Sequence, residues 1–164
     1  MRAHVRVPAT SANLGPGFDA LGLALALYNE VSAEEADRVS VTVEGEGAGR
    51  LPRNEDNVVA RGVRLAYQAA GQTFRGATLR CVNRVPAARG LGSSAAAWVG
   101  GLVAGNTLLG SPLTKDALLG LAARAEGHPD NVAAALLGGL TVSCSTADGV
   151  TAVSLPVPAN LTWV

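Results

Sequence analysis

Two glycines and two serines stand between a proline and an alanine run in RVPAARGLGSSAAA, Arg84 to Ala97. A helix beginning at Ser94 leaves about four backbone N–H groups unpaired in its first turn and carries roughly half a positive charge there. Glycines just ahead of such a start let anion oxygens approach the main chain, so Gly90 and Gly92 can open a phosphate cradle. Ser93 and Ser94 add hydroxyls for a phosphate oxygen or a cation, and Ala95 to Ala97 keep the first turn small and helical. A plain strand-to-helix turn accounts for the same residues without any ligand. The stretch is no Walker A loop, which ends in G-K-[ST], and no G-x-G-x-x-G, because Ala95 stands where the third glycine belongs.

Two further stretches carry polar groups in apolar surroundings. PATSANLGPGFDALG, Pro8 to Gly22, is dense in turn formers and reads as a loop after a strand, with Ser11 and Asn13 as hydrogen-bonding side chains and Asp19 as its acid. EGHPDN, Glu126 to Asn131, is flanked on both sides by alanines and leucines. Four polar side chains between two buried helices need partners. Capping can satisfy Asp130 and Asn131 but explains Glu126 and His128 less well. One histidine with no cysteine nearby is a poor zinc set. Glu126 with a serine hydroxyl from the glycine loop suits Mg²⁺, which takes few protein oxygens and completes its shell with phosphates and water. Ser93 and Ser94 lack the G-x-S-x-G setting of a hydrolase nucleophile.

The elements that must position these groups follow from periodicity. Arg2–Pro8, Ala20–Leu27, Val39–Glu44 and Arg75–Val85 read as strands, the second as a core strand. Gly45–Asn57 is polar and turn-rich, a loop. Val59, Val63, Ala66, Tyr67 and Ala70 share one face of a helix that Gly71 ends, with Arg61, Arg64 and Gln68 opposite. Ser94–Leu109 predicts a buried helix in spite of Gly100, Gly101 and Gly105, each about 1 kcal/mol worse than alanine. Leu113–Ala125 and a helix from Pro129 to Leu137, stopped by Gly138 and Gly139, follow. Gly139–Thr146 and Val150–Leu155 predict a hairpin around ADG. Leu161–Val164 reads as the start of another strand, so the expectation is a first domain over 1–155 and the beginning of a further region over 156–164.

Composition bounds the function. The 164 residues are 48% hydrophobic and 16% charged, with 13 basic and 13 acidic side chains. That balance suits a globular chain and gives no electrostatic reason to expect nucleic acid or an anionic membrane as partner. Cys81 and Cys144 are distant, form no metal-type pair, and read as buried free thiols of a reducing compartment. The apolar run Ala20–Leu27 is too short to span a bilayer, and Asp19 and the LGPG break stand directly before it where a secretory segment would follow basic residues without a break, so the expected location is cytoplasmic.

Taken in order, PATSANLGPGFDALGLAL, DNVVARG, VPAARGLGSSAAA and EGHPDNVAAALLGGL resemble the homoserine kinases of the GHMP small-molecule kinase superfamily. The resemblance implies an α+β fold, that of a GHMP kinase N-terminal domain (ribosomal protein S5 domain 2-like), with the C-terminal domain absent from this chain. It implies transfer of the ATP γ-phosphate to the side-chain hydroxyl of L-homoserine, giving O-phospho-L-homoserine for threonine biosynthesis. It would place Gly90, Leu91, Gly92, Ser93, Ser94 and Ala95 around the phosphates and Asn57, Val58 and Pro86 around the rest of the nucleotide. Ser94 and Glu126 would hold Mg²⁺. Asn13, Asp19, His128 and Asp130 would line the amino-acid pocket, with Asn131 near the acceptor hydroxyl and His128 and Asp130 as candidate proton acceptors. Homoserine and ATP are the implied partners, with a homodimer or a further domain to complete the site. Two alternatives remain at this point: a sister kinase acting on mevalonate, galactose or a related alcohol, which lacks an ammonium for the pocket acids, and a non-catalytic nucleotide-binding relative.

Overall fold

A computed structural model of the chain describes residues 1–157, which form β1 (Arg2–Leu14), β2 (Gly17–Glu35), β3 (Ser40–Gly45), α1 (Val58–Ala69), β4 (Ala77–Asn83), α2 (Ser93–Leu108), α3 (Lys115–Glu126), α4 (Asp130–Leu137), β5 (Leu140–Thr146) and β6 (Gly149–Leu155). The six strands make one mixed sheet in the order β3-β4-β2-β5-β6, with β1 paired to β2. The 19-residue β2 organises it. β1 runs antiparallel along nearly all of β2, whereas β4 takes its C-terminal part (Glu30 to Glu35) and β5 its N-terminal part (Leu21 to Leu23). β3 lies parallel to β4, with α1 making the connection.

Alternation decides the faces. Ala3, Val5 and Val7 of β1, Val31 and Ala33 of β2, Val41 and Val43 of β3, and Leu79 and Cys81 of β4 point into one core with the helices. The charged residues between them form pairs on the other face: Arg2 with Glu34 at 3.1 Å, Arg80 with Glu44 at 2.7 Å and Arg84 with Glu30 at 2.7 Å. Such exposed pairs contribute little individually.

Helix α2 is apolar on every side, and its buried residues range from Ala95 to Leu108. Such a helix belongs in the interior. Its glycines explain how it gets there. A Cβ on Gly101 would lie 2.3 Å from Val59 O, and one on Gly105 would lie 2.8 Å from Val63 O. Gly62 of α1 answers them, since its Cβ would meet Leu102 N and Trp98 O, each at 3.0 Å. The two helices therefore touch main chain to main chain, and that close packing offsets the poor helix propensity of glycine.

The structure corrects several sequence expectations. Pro8–Gly22 is no loop: β1 continues to Leu14, β2 starts at Gly17, and only Gly15 and Pro16 turn. The predicted core strand Ala20–Leu27 is the early part of β2, where Gly22 and Leu23 are buried and Ala26 is exposed. A register shift near Pro8 and Ala9 breaks the alternation there. Cys81 is buried as expected, but Cys144 is exposed near the hairpin end. The α2 and α3 boundaries move by one or two residues, and the predicted strand Leu161–Val164 lies outside the described residues. Among those residues, no helix is long and apolar enough to cross a membrane.

Candidate functional site

The start of α2 is held from below by β1 and from the side by α4. Gly92 takes the cap position with φ +63°, and no side chain caps the helix. A Cβ at Gly92 would stand 1.9 Å from Thr10 Oγ1 and 3.0 Å from Asn131 Oδ1. Glycine is thus required twice, by the left-handed backbone and by the lack of space. Thr10, fully buried, donates its hydroxyl to Asn131 Oδ1 at 2.7 Å, and its N–H bonds to Leu91 O at 3.1 Å. One threonine therefore ties the glycine-serine loop to EGHPDN and to β1. The sequence reading passed over Thr10, because its partners lie some eighty and 121 residues away and no local pattern announces them.

Ser94 Oγ donates to Glu126 Oε2 at 2.8 Å, which joins the two residues singled out for a cation. The αL residue Gly127 ends α3 and turns the chain back so that α4 starts beside α2. His128 and Asp130 pair at 2.5 Å through Nδ1 and Oδ1, and Asp130 Oδ1 also accepts from Asn131 N at 2.7 Å. Asp130 is fully buried, and its Oδ2 is the buried side-chain polar atom without a partner among the described residues. A carboxylate oxygen sealed without a donor is costly, which fits a group that meets a cationic ligand.

Asn13 and Asp19 lie at the tip of the β1–β2 hairpin. Both adopt positive φ, and Asp19 N donates to Asn13 Oδ1 at 3.2 Å. Both are exposed, and the Asp19 carboxylate makes no hydrogen bond or ion pair among the described residues. The hairpin returns to the rest of the site through Gly22, where a Cβ would meet Asp130 O at 2.4 Å. β2 can lie against the start of α4 only because that position is bare.

A cleft of about 370 Å³ opens beside the α2 start, bounded by Leu51 and Pro52 of the loop before α1, by Val58, and by Ser93 and Ser94. Asn57 also lines it, but its side chain is already engaged: Oδ1 accepts from Val59 N at 2.9 Å and Nδ2 donates to Pro52 O at 2.7 Å. It caps α1 and fixes the wall. Pro86 is half-buried, while Gly90 is exposed with open space around it. Ala95 is buried behind the first turn of α2. Cys81 lies at the cleft floor, where burial pushes its thiol up to about 11. Burial therefore favours its neutral thiol form. The described residues hold no group of three or more His, Cys, Asp or Glu that could bind a metal by themselves.

Comparison with known proteins shows the family and the fold. Residues 57–139 match the model of the GHMP kinases N terminal domain. The chain is 55% identical over 155 residues to the homoserine kinase of Carboxydothermus hydrogenoformans, covering 94% of this chain and 51% of that protein. The solved homoserine kinase of Cytophaga hutchinsonii superposes with a TM-score of 0.83 at 36% identity, over 97% of this chain and 53% of that one. A mevalonate kinase of Methanococcus jannaschii, at 13% identity and a TM-score of 0.68 over 87% of this chain and 53% of that one, shares the fold alone. The chain spans about half the length of the curated relatives it matches.

Proposed function

The chain belongs to the GHMP kinases as an N-terminal domain of that family, and from this premise we propose that it forms the nucleotide-binding part of a homoserine kinase. The reaction is transfer of the ATP γ-phosphate to the side-chain hydroxyl of L-homoserine. The observation that carries the reading is the convergence on one uncapped helix start. The glycine-serine loop, the Ser94–Glu126 pair and the Asp130–Asn131 turn meet there, with Thr10 between them.

Phosphoryl transfer depends mostly on alignment and charge neutralisation. Main-chain N–H groups from Gly90 to Ala95 take the phosphates, helped by the positive end of α2. The rest of the nucleotide lies in the cleft between Val58, Ala87 and the wall that Asn57 braces, with Pro86 next to Ala87 in the turn. The donor set of Ser94 and Glu126 fits Mg²⁺: two hard oxygens within hydrogen-bond distance, too few to satisfy the ion without phosphate and water. The ion supplies neutralisation of phosphate charge when bound.

Asn131 orients the acceptor hydroxyl, and its own amide is aligned by Thr10. Asp130 pairs with His128 and keeps its unpartnered Oδ2 buried, so it meets the homoserine ammonium only when substrate binding opens the start of α4, with Asn13 and Asp19 closing the pocket from the hairpin. Asp130 and His128 are also the groups placed to accept the hydroxyl proton. The setting is cytoplasmic.

Two measurements test this. Calorimetric titration with ATP, with and without Mg²⁺, is expected to give Mg²⁺-dependent binding. In a protein that carries this domain together with the rest of the site, ADP release is expected to depend on homoserine and not on mevalonate or galactose, whereas this chain alone is expected to turn over homoserine poorly or not at all. ATP binding that ignores Mg²⁺, or release that follows either alcohol instead, overturns the reading.

A further inference from the structure

The cleft floor holds two carboxamides whose orientations are dictated by the main chain. Asn29, buried on β2, accepts from Arg84 N at 2.8 Å and from Val85 N at 2.9 Å. An atom that accepts two N–H groups must be the oxygen, so Nδ2 is the end left over. Asn83 on β4 is the reverse: Nδ2 donates to Glu46 O at 3.1 Å, and Oδ1 is left over. Neither leftover atom has a hydrogen-bond partner among the described residues. Neither is sealed, since Asp130 Oδ2 is the buried polar atom without a partner. Both residues line the cleft. The last ladder pair between β2 and β4 is Glu30 with Val82, so the register sets Asn29 and Asn83 opposite each other one step further on.

A free donor beside a free acceptor complements a ligand edge that offers an acceptor beside a donor. Resting on the kinase reading above, we propose that Asn29 and Asn83 read the base of the bound nucleotide and select adenine. The adenine edge presents the N1 acceptor beside the N6 amino donor. Guanine presents the O6 acceptor beside an N1–H donor, which sets acceptor against acceptor and donor against donor. Asn29 has a second duty, because the residues it grips are where the phosphate loop leaves the sheet. Base reading and loop position therefore meet in one side chain.

The test is a titration of this chain with Mg-ATP, Mg-GTP and Mg-tripolyphosphate. Asn29→Asp keeps an oxygen for Arg84 N and Val85 N and turns the cleft-facing donor into a carboxylate acceptor, and tripolyphosphate affinity reports separately what the added charge does to the phosphates. Asn83→Ala removes the acceptor at a less buried position. Unpaired polar groups set the scale: the unsubstituted chain is expected to favour ATP over GTP by about 10- to 100-fold, and each substitution to reduce that ratio below about 3-fold. Tripolyphosphate binding should survive Asn83→Ala unchanged. Equal affinity for ATP and GTP, or a ratio that both substitutions leave intact, overturns base selection and leaves the kinase reading standing. Failure to bind both ATP and tripolyphosphate overturns the two together.

Discussion

The starts of α1 and α2 flank the same cleft and are built in opposite ways. At α1, the buried Asn57 side chain bonds Val59 N and Pro52 O, so the helix end is closed by its own chain. At α2, Gly92 holds the cap position in a left-handed conformation and supplies no side chain at all. A capping side chain is worth about 1 kcal/mol, and α2 forgoes it. Both ends face the same orphan N–H problem. One settles it internally and becomes wall, whereas the other leaves it open and becomes a seat for an anion.

Closing the open end should have the largest effect. Gly92→Ala puts a Cβ against Thr10 Oγ1 in a backbone conformation that disfavours it. Strain of this kind costs about 1–3 kcal/mol, so urea unfolding should shift by that amount and Mg-ATP binding should be lost in calorimetry. Unchanged affinity would show that the α2 start is not the seat. Glu126→Gln comes next: it keeps an oxygen for Ser94 but removes the charge. Mg²⁺-dependent ATP affinity should fall about tenfold, with the melting temperature little changed. Asn57→Ala opens the closed end and should lower stability by about 1 kcal/mol, while tripolyphosphate affinity holds. A large loss of that affinity would make Asn57 part of the seat and erase the contrast.

The smallest effect lies at the far end of α1, away from the cleft. Tyr67 donates to Glu35 Oε1 at 2.8 Å, and burial together with the Glu35 carboxylate pushes its hydroxyl up to about 12. The folded state therefore holds this proton above the ordinary tyrosine range. The contribution is complete below pH 10 and fades as pH rises from 10 to about 12. Tyr67→Phe should flatten that decline in alkaline unfolding curves and leave nucleotide binding alone.

Helix α1 and the short strand β3 were legible because their apolar spacing matched one period throughout, and α2 because it is an unbroken apolar run. Val59, Val63, Ala66 and Tyr67 mark α1 without ambiguity. The long β1–β2 pair was not, because Ser11, Ala12 and Gly22 are held by a backbone ladder and not by an apolar stripe. Small residues and glycines there mimic a loop. In the site, the Ser94–Glu126 pair was legible because both residues stood out from apolar surroundings. Thr10 and Asn29 were not. Each is a polar residue in a strand, and its importance rests on partners from distant segments that only folding assembles. Asn57 was found, but its cap role shows only once Val59 N and Pro52 O are placed.

The contact among Gly62, Gly101 and Gly105 has a mechanical consequence. Where helices meet through side chains, rotamer changes let them slide. Here peptide groups abut, and there is nothing between them to repack. α1 and α2 therefore move as one stiff bracket, and the gap between their leading ends has a fixed calibre. Lining residues can be exchanged to suit a different guest, but the aperture that admits it is cut by the backbone.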